Sequence, residues 1–134
     1  MSHVRPESVV DLRRAAVEAS SFSYAPYTGY SVGAAAIDSR GRITSGCKVE
    51  CSSFGLTLCA EVVLIGKVVS EGSAPPVMIS CRDADGAVLM PCGRCRQMLF
   101  EHFGPECLVD RGDDELPLRV AELLPHARSG MSQK

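Results

Sequence analysis

Residues 55–63 read GLTLCAEVV. The stretch leaves a polar loop and enters an apolar run, and Cys59, Ala60 and Glu61 stand at the junction. From Leu58 onward LCAEVVLIGKVVSEG is apolar almost all round and stops at Gly72, which predicts a buried helix over 58–72. Thr57 is the expected N-cap. An ionisable thiol and a carboxylate at the mouth of a buried helix call for a partner that only a second segment can supply.

PCGRC (91–95) is that segment. Pro91 suits a helix start, so Cys92 and Cys95 fall in the first turn of a second helix, CGRCRQMLFEHF. Free N–H groups and the helix dipole there favour thiolates. Taken alone, a C-x-x-C is a redox pair, half of a metal site or two buried cysteines. With Cys59 it becomes a three-thiolate cup built from two helix mouths. Zinc with three protein ligands keeps a fourth position open for water, the catalytic pattern rather than the structural one. Cys47, Cys51, Cys81 and Cys107 sit on other elements, and His3, His102 and His126 lack ligand spacing, so none is assigned a role. A carboxylate beside the cup can take a proton from water made acidic by zinc and pass it on. A Glu serving only the helix dipole would explain Glu61, but not Cys59 or the PCGRC downstream.

Outward from these helices, Val9, Val10, Leu12, Ala16 and Val17 predict an amphipathic helix over 6–22. SYAPYTGY (23–30) reads as a loop. SVGAAAI and GRITSGCKVE flank DSRG as a β-hairpin, and CSSFGLT is a loop. VMISC (77–81), AVLM (87–90) and CLVD (107–110) read as strands, and VAELLP (120–125) as a short helix. The order predicts one α/β domain over 1–134, a three-layer α/β/α arrangement on a mixed five-stranded sheet. The chain has 134 residues, 46% hydrophobic and 5% aromatic with no Trp, so the core is aliphatic. Net charge is −2 with scattered Lys and Arg, which argues against nucleic acid as a partner. No apolar run reaches the length of a membrane span, and no signal-peptide core precedes the first helix. Seven cysteines then read as ligands or core of a cytoplasmic protein.

C-A-E…P-C-G-R-C is the three-cysteine form of the zinc-deaminase signature. Around it the chain resembles the small, homotetrameric cytidine deaminases. YAPYTGYSVGAAA resembles that family's Y-x-P-Y-S-x-F-x-V-G-A-A segment, and GCKVECSSFGLTLCAE its G-C-N-V-E-N-A-S-Y-G-L-T-L-C-A-E. VSEG, LMPCGRCRQMLFEH and LLPHA follow in order. The resemblance implies a zinc hydrolase that converts cytidine or deoxycytidine to the uridine and ammonia. It implies zinc on Cys59, Cys92 and Cys95, with Glu61 shuttling protons. The backbone at Ala60 would hold the pyrimidine edge, Glu50 would bond a ribose hydroxyl, and Tyr30 stands for a Phe packed on the base.

Four positions depart from the family pattern. A ribose-binding Asn is replaced by Lys48, a loop Tyr by Phe54, the Arg after C-A-E by Val62, and a C-terminal Phe directed at a neighbouring subunit's substrate by Arg128. Lys48 and Arg128 point to a modified sugar or an anionic group. An aliphatic residue after C-A-E also occurs in the blasticidin S deaminases, so a modified aminopyrimidine nucleoside or another amino-heterocycle competes with cytidine as substrate. A structural zinc module and a redox protein are the readings outside this chemistry. The first lacks a fourth ligand, and the second leaves Cys59 and Glu61 idle. Val62 also removes a positive charge from a three-thiolate site: either helix dipoles, backbone N–H groups and Arg94 or Arg96 offset it, or the water on the metal is a weaker acid.

Overall fold

The computed structural model describes residues 4–130, so His3 lies outside the described residues. Pro6 opens α1 (Pro6–Ser20), where it needs no N–H partner, and Glu7 adds an acidic first turn. Leu12, Ala16 and Ala19 form its buried stripe. The helix ends two residues before the expected bound, because Ser21 and Phe22 leave it in a turn. β1 (Val32–Ile37) and β2 (Ile43–Cys47) form the expected hairpin, with Gly33 opposite Cys47 and Ile37 opposite Ile43. Asp38 closes its turn by accepting N–H bonds from Arg40 and Arg42, each at 2.9 Å.

The loop after β2 holds one short 3-10 turn, Phe54–Leu56. α2 runs Ala60–Ser70, β3 Met78–Asp83 and α3 Gly93–His102. β4 (Leu108–Val109), β5 (Leu118–Arg119) and α4 (Val120–Leu123) complete the chain. The strand order is β2-β1-β3-β4-β5, with β3–β4 parallel and the other pairs antiparallel. The sheet is therefore mixed and five-stranded, as the sequence predicts, but its fifth strand is not the expected one. AVLM makes a single bridge, Val88 to Arg82. β4 occupies Met78 and Ile79 on that edge of β3, which leaves 87–89 only the end of the strand, bonded at Cys81 and Asp83. β5 takes the outer place beside β4.

Side-chain alternation assigns the two faces. Ala35, Ile37 and Met78 pack with Leu12 and Ala16 of α1. Ala34, Ala36, Ile79 and Cys81 pack with Ala60, Leu64, Val68 and Leu99 of α2 and α3. β1 is buried along its whole length because a helix crosses each face. Two glycines set how close those helices come. A Cβ at Gly33 would stand 2.1 Å from the Ala16 carbonyl oxygen, and one at Gly46 2.8 Å from the Leu64 nitrogen. Both obstacles are backbone, so neither position can accept a side chain without moving a helix.

Beside α1 lies the main buried ionic group. Asp110 accepts from Arg13 of α1 (2.8 and 3.1 Å), from Arg82 (2.6 Å) and Ser80 (2.7 Å) of β3, and from its own loop at Gly112 N. Burial opposes its charge, but these donors overcome that and hold its pKa well below the ordinary 3.8. A depressed carboxylate stabilises the fold fully above its unfolded pKa and loses that contribution as pH falls toward the folded value. Asp110→Asn should therefore destabilise the protein by about 3 kcal/mol at neutral pH in urea unfolding, since it strands buried guanidinium charge. The gap to wild type should narrow below pH 3.8. A gap that stays constant to low pH would contradict this role.

Candidate active site

Cys59 and Cys92 are the N-cap residues of α2 and α3, both in extended backbone, so each thiol stands at a helix mouth. Thr57 is not the cap. Its hydroxyl accepts instead from Cys51 N at 3.3 Å and steadies the loop. Leu58 is fixed by two backbone bonds to Val49, which positions Cys59 next in the chain. Cys95 lies one turn into α3 and is fully buried, whereas Cys92 is exposed.

The three Sγ atoms lie within 4.8 Å of one another, with Cys59–Cys92 at 3.9 Å and Cys92–Cys95 at 3.5 Å. A tetrahedral zinc with bonds near 2.3 Å needs ligand sulfurs about 3.8 Å apart. The cup thus has the size and the soft donor set that suit zinc. Burial works against a charge on Cys92, but N–H groups of Cys95 and Arg94 and the neighbouring thiols outweigh it and lower its pKa. Burial first, then Glu61 and Cys59, push Cys95 up.

Glu61 is buried in the first turn of α2. Burial raises its pKa, against the pull of its own backbone N–H and of the Cys81 thiol. Cys81 is itself driven up, by burial and then by Glu61. The sequence reading gave Cys81 no role, yet strand alternation puts Ile79, Cys81 and Asp83 on the helix-facing side and would have found it.

Arg94 answers the charge problem left by Val62. Its Nη2 donates to the Thr57 carbonyl at 2.9 Å and to the Cys59 sulfur at 3.7 Å. Arg96 does not take part. It donates to the carbonyls of Pro91 (2.7 Å) and Leu123 (3.1 Å), and so ties the start of α3 to α4.

Tyr30, Lys48 and Glu50 form a second cluster. Glu50 is buried, and its Oε1 accepts from Tyr27 N at 3.0 Å and Thr28 N at 3.2 Å. Its Oε2 accepts from the Thr28 hydroxyl and faces Lys48 Nζ at 3.3 Å. The Thr28 hydroxyl foremost, then the two N–H groups and Lys48, hold its pKa down to about 2 against the cost of burial. Lys48 Nζ lies 5.3 Å from the Tyr30 ring centre, and Tyr30 OH donates to Asp83 Oδ2 at 2.8 Å. Lys48 and Tyr30, which stand for an Asn and a Phe of the family pattern, thus lie side by side. Thr28 reads as part of the 23–30 loop and Asp83 as the start of a DADG turn (83–86), so the sequence singles out neither. Ala60 is buried at the start of α2, and Phe54 is 70% exposed. The carbonyl of Arg128 accepts from Gln97 of α3 at 3.0 Å, which holds the C-terminal segment against that helix.

The family model described as the cytidine and deoxycytidylate deaminase zinc-binding region matches residues 6–109. The chain belongs to this deaminase family. A cytidine deaminase from Mycobacterium tuberculosis is 47% identical over 116 residues, 87% of this chain and 86% of that protein. A crystal structure of cytidine deaminase from Mycobacterium tuberculosis superposes with a TM-score of 0.83 at 45% identity, over 89% of this chain and 95% of that one. More distantly, a blasticidin-S deaminase from Bacillus cereus is 29% identical over 106 residues, 72% of this chain and 75% of that protein. The deaminase family is zinc-binding, and the three-thiol cup supplies a donor set for that ion.

Purified protein should carry roughly one zinc per chain, lost in Cys59→Ala. Arg94→Met should keep zinc but bind it about tenfold or more weakly in competition with a chromophoric chelator, and Arg94→Lys should lose less. Equal affinity in wild type and Arg94→Met would remove Arg94 from the charge balance.

Proposed function

We propose that the protein is a zinc-dependent aminohydrolase that converts cytidine or deoxycytidine to the corresponding uridine and ammonia. The observation that carries this reading is the buried Glu61 carboxyl at the mouth of the helix that Cys59 caps, beside the three-thiol cup. Cys59, Cys92 and Cys95 would hold the metal. Zinc, when bound, supplies a Lewis acid that makes water nucleophilic near neutral pH. Glu61 does the proton work: its carboxylate takes a proton from the attacking water and delivers it to the pyrimidine ring nitrogen, then takes the second proton from the hydroxyl now on the ring carbon and delivers it to the amine, as the carbonyl forms and the C–N bond breaks. Burial suits it to that cycle, because a pKa raised from the ordinary carboxylate value toward the working pH makes the carboxylate a stronger base toward water while leaving the acid form able to pass the proton on.

Ala60 opens α2 with its backbone beside the cup, and in this reading it faces the pyrimidine edge. Tyr30 packs on the base, while Lys48 and Glu50 face the sugar. Phe54 and Arg128 belong to the rim. Val62 and the blasticidin-S deaminase likeness support the competing reading, in which the same chemistry acts on a modified aminopyrimidine nucleoside. A purely structural zinc module is disfavoured, since it gives no use for a buried Glu61.

The enzyme would work as one domain over residues 1–134, as a homotetramer, in cytoplasmic pyrimidine salvage. Large exposed apolar residues such as Phe22 and Leu56 (80% and 66% exposed) support assembly. Free thiols throughout support a reducing compartment. Among the described residues no helix is long and apolar enough to cross a membrane.

Glu61→Gln should keep its zinc and lose about two to four orders of magnitude in kcat for ammonia release from cytidine. Near-normal turnover in that variant would overturn the mechanism.

A further inference from the structure

The cluster around Glu50 carries a specificity that the position of Lys48 alone does not reveal. An ionised carboxylate has about four acceptor sites. In Glu50 three are filled by hydrogen bonds from the chain itself, Tyr27 N and Thr28 N on Oε1 and the Thr28 hydroxyl on Oε2, and Lys48 Nζ covers Oε2 as an ion pair at 3.3 Å. A buried acceptor that is already satisfied has nothing to gain from a substrate hydroxyl and loses nothing when that hydroxyl is missing. Lys48 is donor-only, and beside that ion pair its ammonium donates to Thr28 Oγ1 at 3.4 Å. That leaves N–H capacity on the ammonium to offer beside the Tyr30 ring, whose centre is 5.3 Å away.

The cluster also lies beside the reaction centre by two routes. Val49, between Lys48 and Glu50, is bonded twice to Leu58, the neighbour of Cys59. Tyr30 is anchored to Asp83, which shares a strand face with Cys81 under Glu61.

Charge decides what kind of acceptor fits. Lys48 is neutralised by Glu50 at 3.3 Å, and Asp83 adds a second carboxylate behind Tyr30. Glu50, Lys48 and Asp83 therefore sum to one net negative charge, which repels an anion. We propose that Lys48 makes the sugar side of this site a donor-only subsite, suited to a nucleoside whose sugar presents a neutral, acceptor-only oxygen, such as an ether, where ribose presents a hydroxyl. The proposal rests on the nucleoside-deaminase reading and names the class of sugar that reading leaves open.

The test uses zinc-loaded protein and two readouts: kcat/KM for ammonia release from cytidine, its 2′-O-methyl and 3′-O-methyl ethers and its 3′-phosphate, and calorimetric affinity for the matching uridines. In wild type at least one ether should stay within about threefold of its parent, because no buried acceptor is left unpaired, while the phosphate falls by about tenfold or more. Lys48→Met removes the donor and opens an acceptor on Glu50, so that same ether should drop by about tenfold or more relative to the parent. Thr28→Val opens the same oxygen by another route and should show the same drop. Both ethers strongly disfavoured by wild type, a preference for the phosphate, or an ether-to-parent ratio unchanged in both variants would each overturn the proposal. Uridines that bind in the expected pattern without ammonia from any cytidine would fault the deaminase reading and leave the subsite standing.

Discussion

Everything in this molecule depends on two helix mouths meeting at one point. Cys59 and Cys92 are both N-cap residues, so their sulfurs come together only if α2 and α3 start side by side on the same sheet face. That requirement reaches into the sheet. α2 crosses β2 at Gly46, where a side chain would meet helix backbone, and α1 presses on the opposite face at Gly33. The small residues of β1 follow from the same demand, since Ala34 and Ala36 face α2 and α3 while Ala35 faces α1. The metal cup is thus an outcome of packing distance as much as of cysteine placement.

Charge is the second condition on the site. Three thiolates around a divalent ion leave an excess negative charge, and Val62 cannot offset it. Arg94 does so from α3, across the cup, through Cys59. Its second bond, to the Thr57 carbonyl, fixes the guanidinium in place. The carboxyl of Glu61 stands on the opposite, buried side, against Cys81. The protein therefore places a cation at the exposed edge of the cup and a buried carboxyl of raised pKa close by.

Much of this was legible in the sequence because it is local. Pro91, the C-x-x-C spacing, the apolar run to Gly72 and the Asp38 turn each fix a short piece of backbone, and the structure follows them closely. What the sequence did not show is what depends on competition between segments. AVLM has strand character, but β4 occupies the edge it would need, so β5 becomes the fifth strand. Thr57 has the chemistry of a cap and is drawn to Cys51 instead. Lys48 reads as a free cation and is in fact paired with Glu50. Cys81 was within reach of strand alternation and was passed over because its partner, Glu61, lies on another element.

The contacts of Arg94 also have a mechanical side. One side chain on α3 reaches both the Thr57 carbonyl and the Cys59 sulfur, and so spans from the start of one helix to the last residues before the other. The spacing of the two helix mouths is therefore held by a polar strut at the surface as well as by the aliphatic packing beneath them.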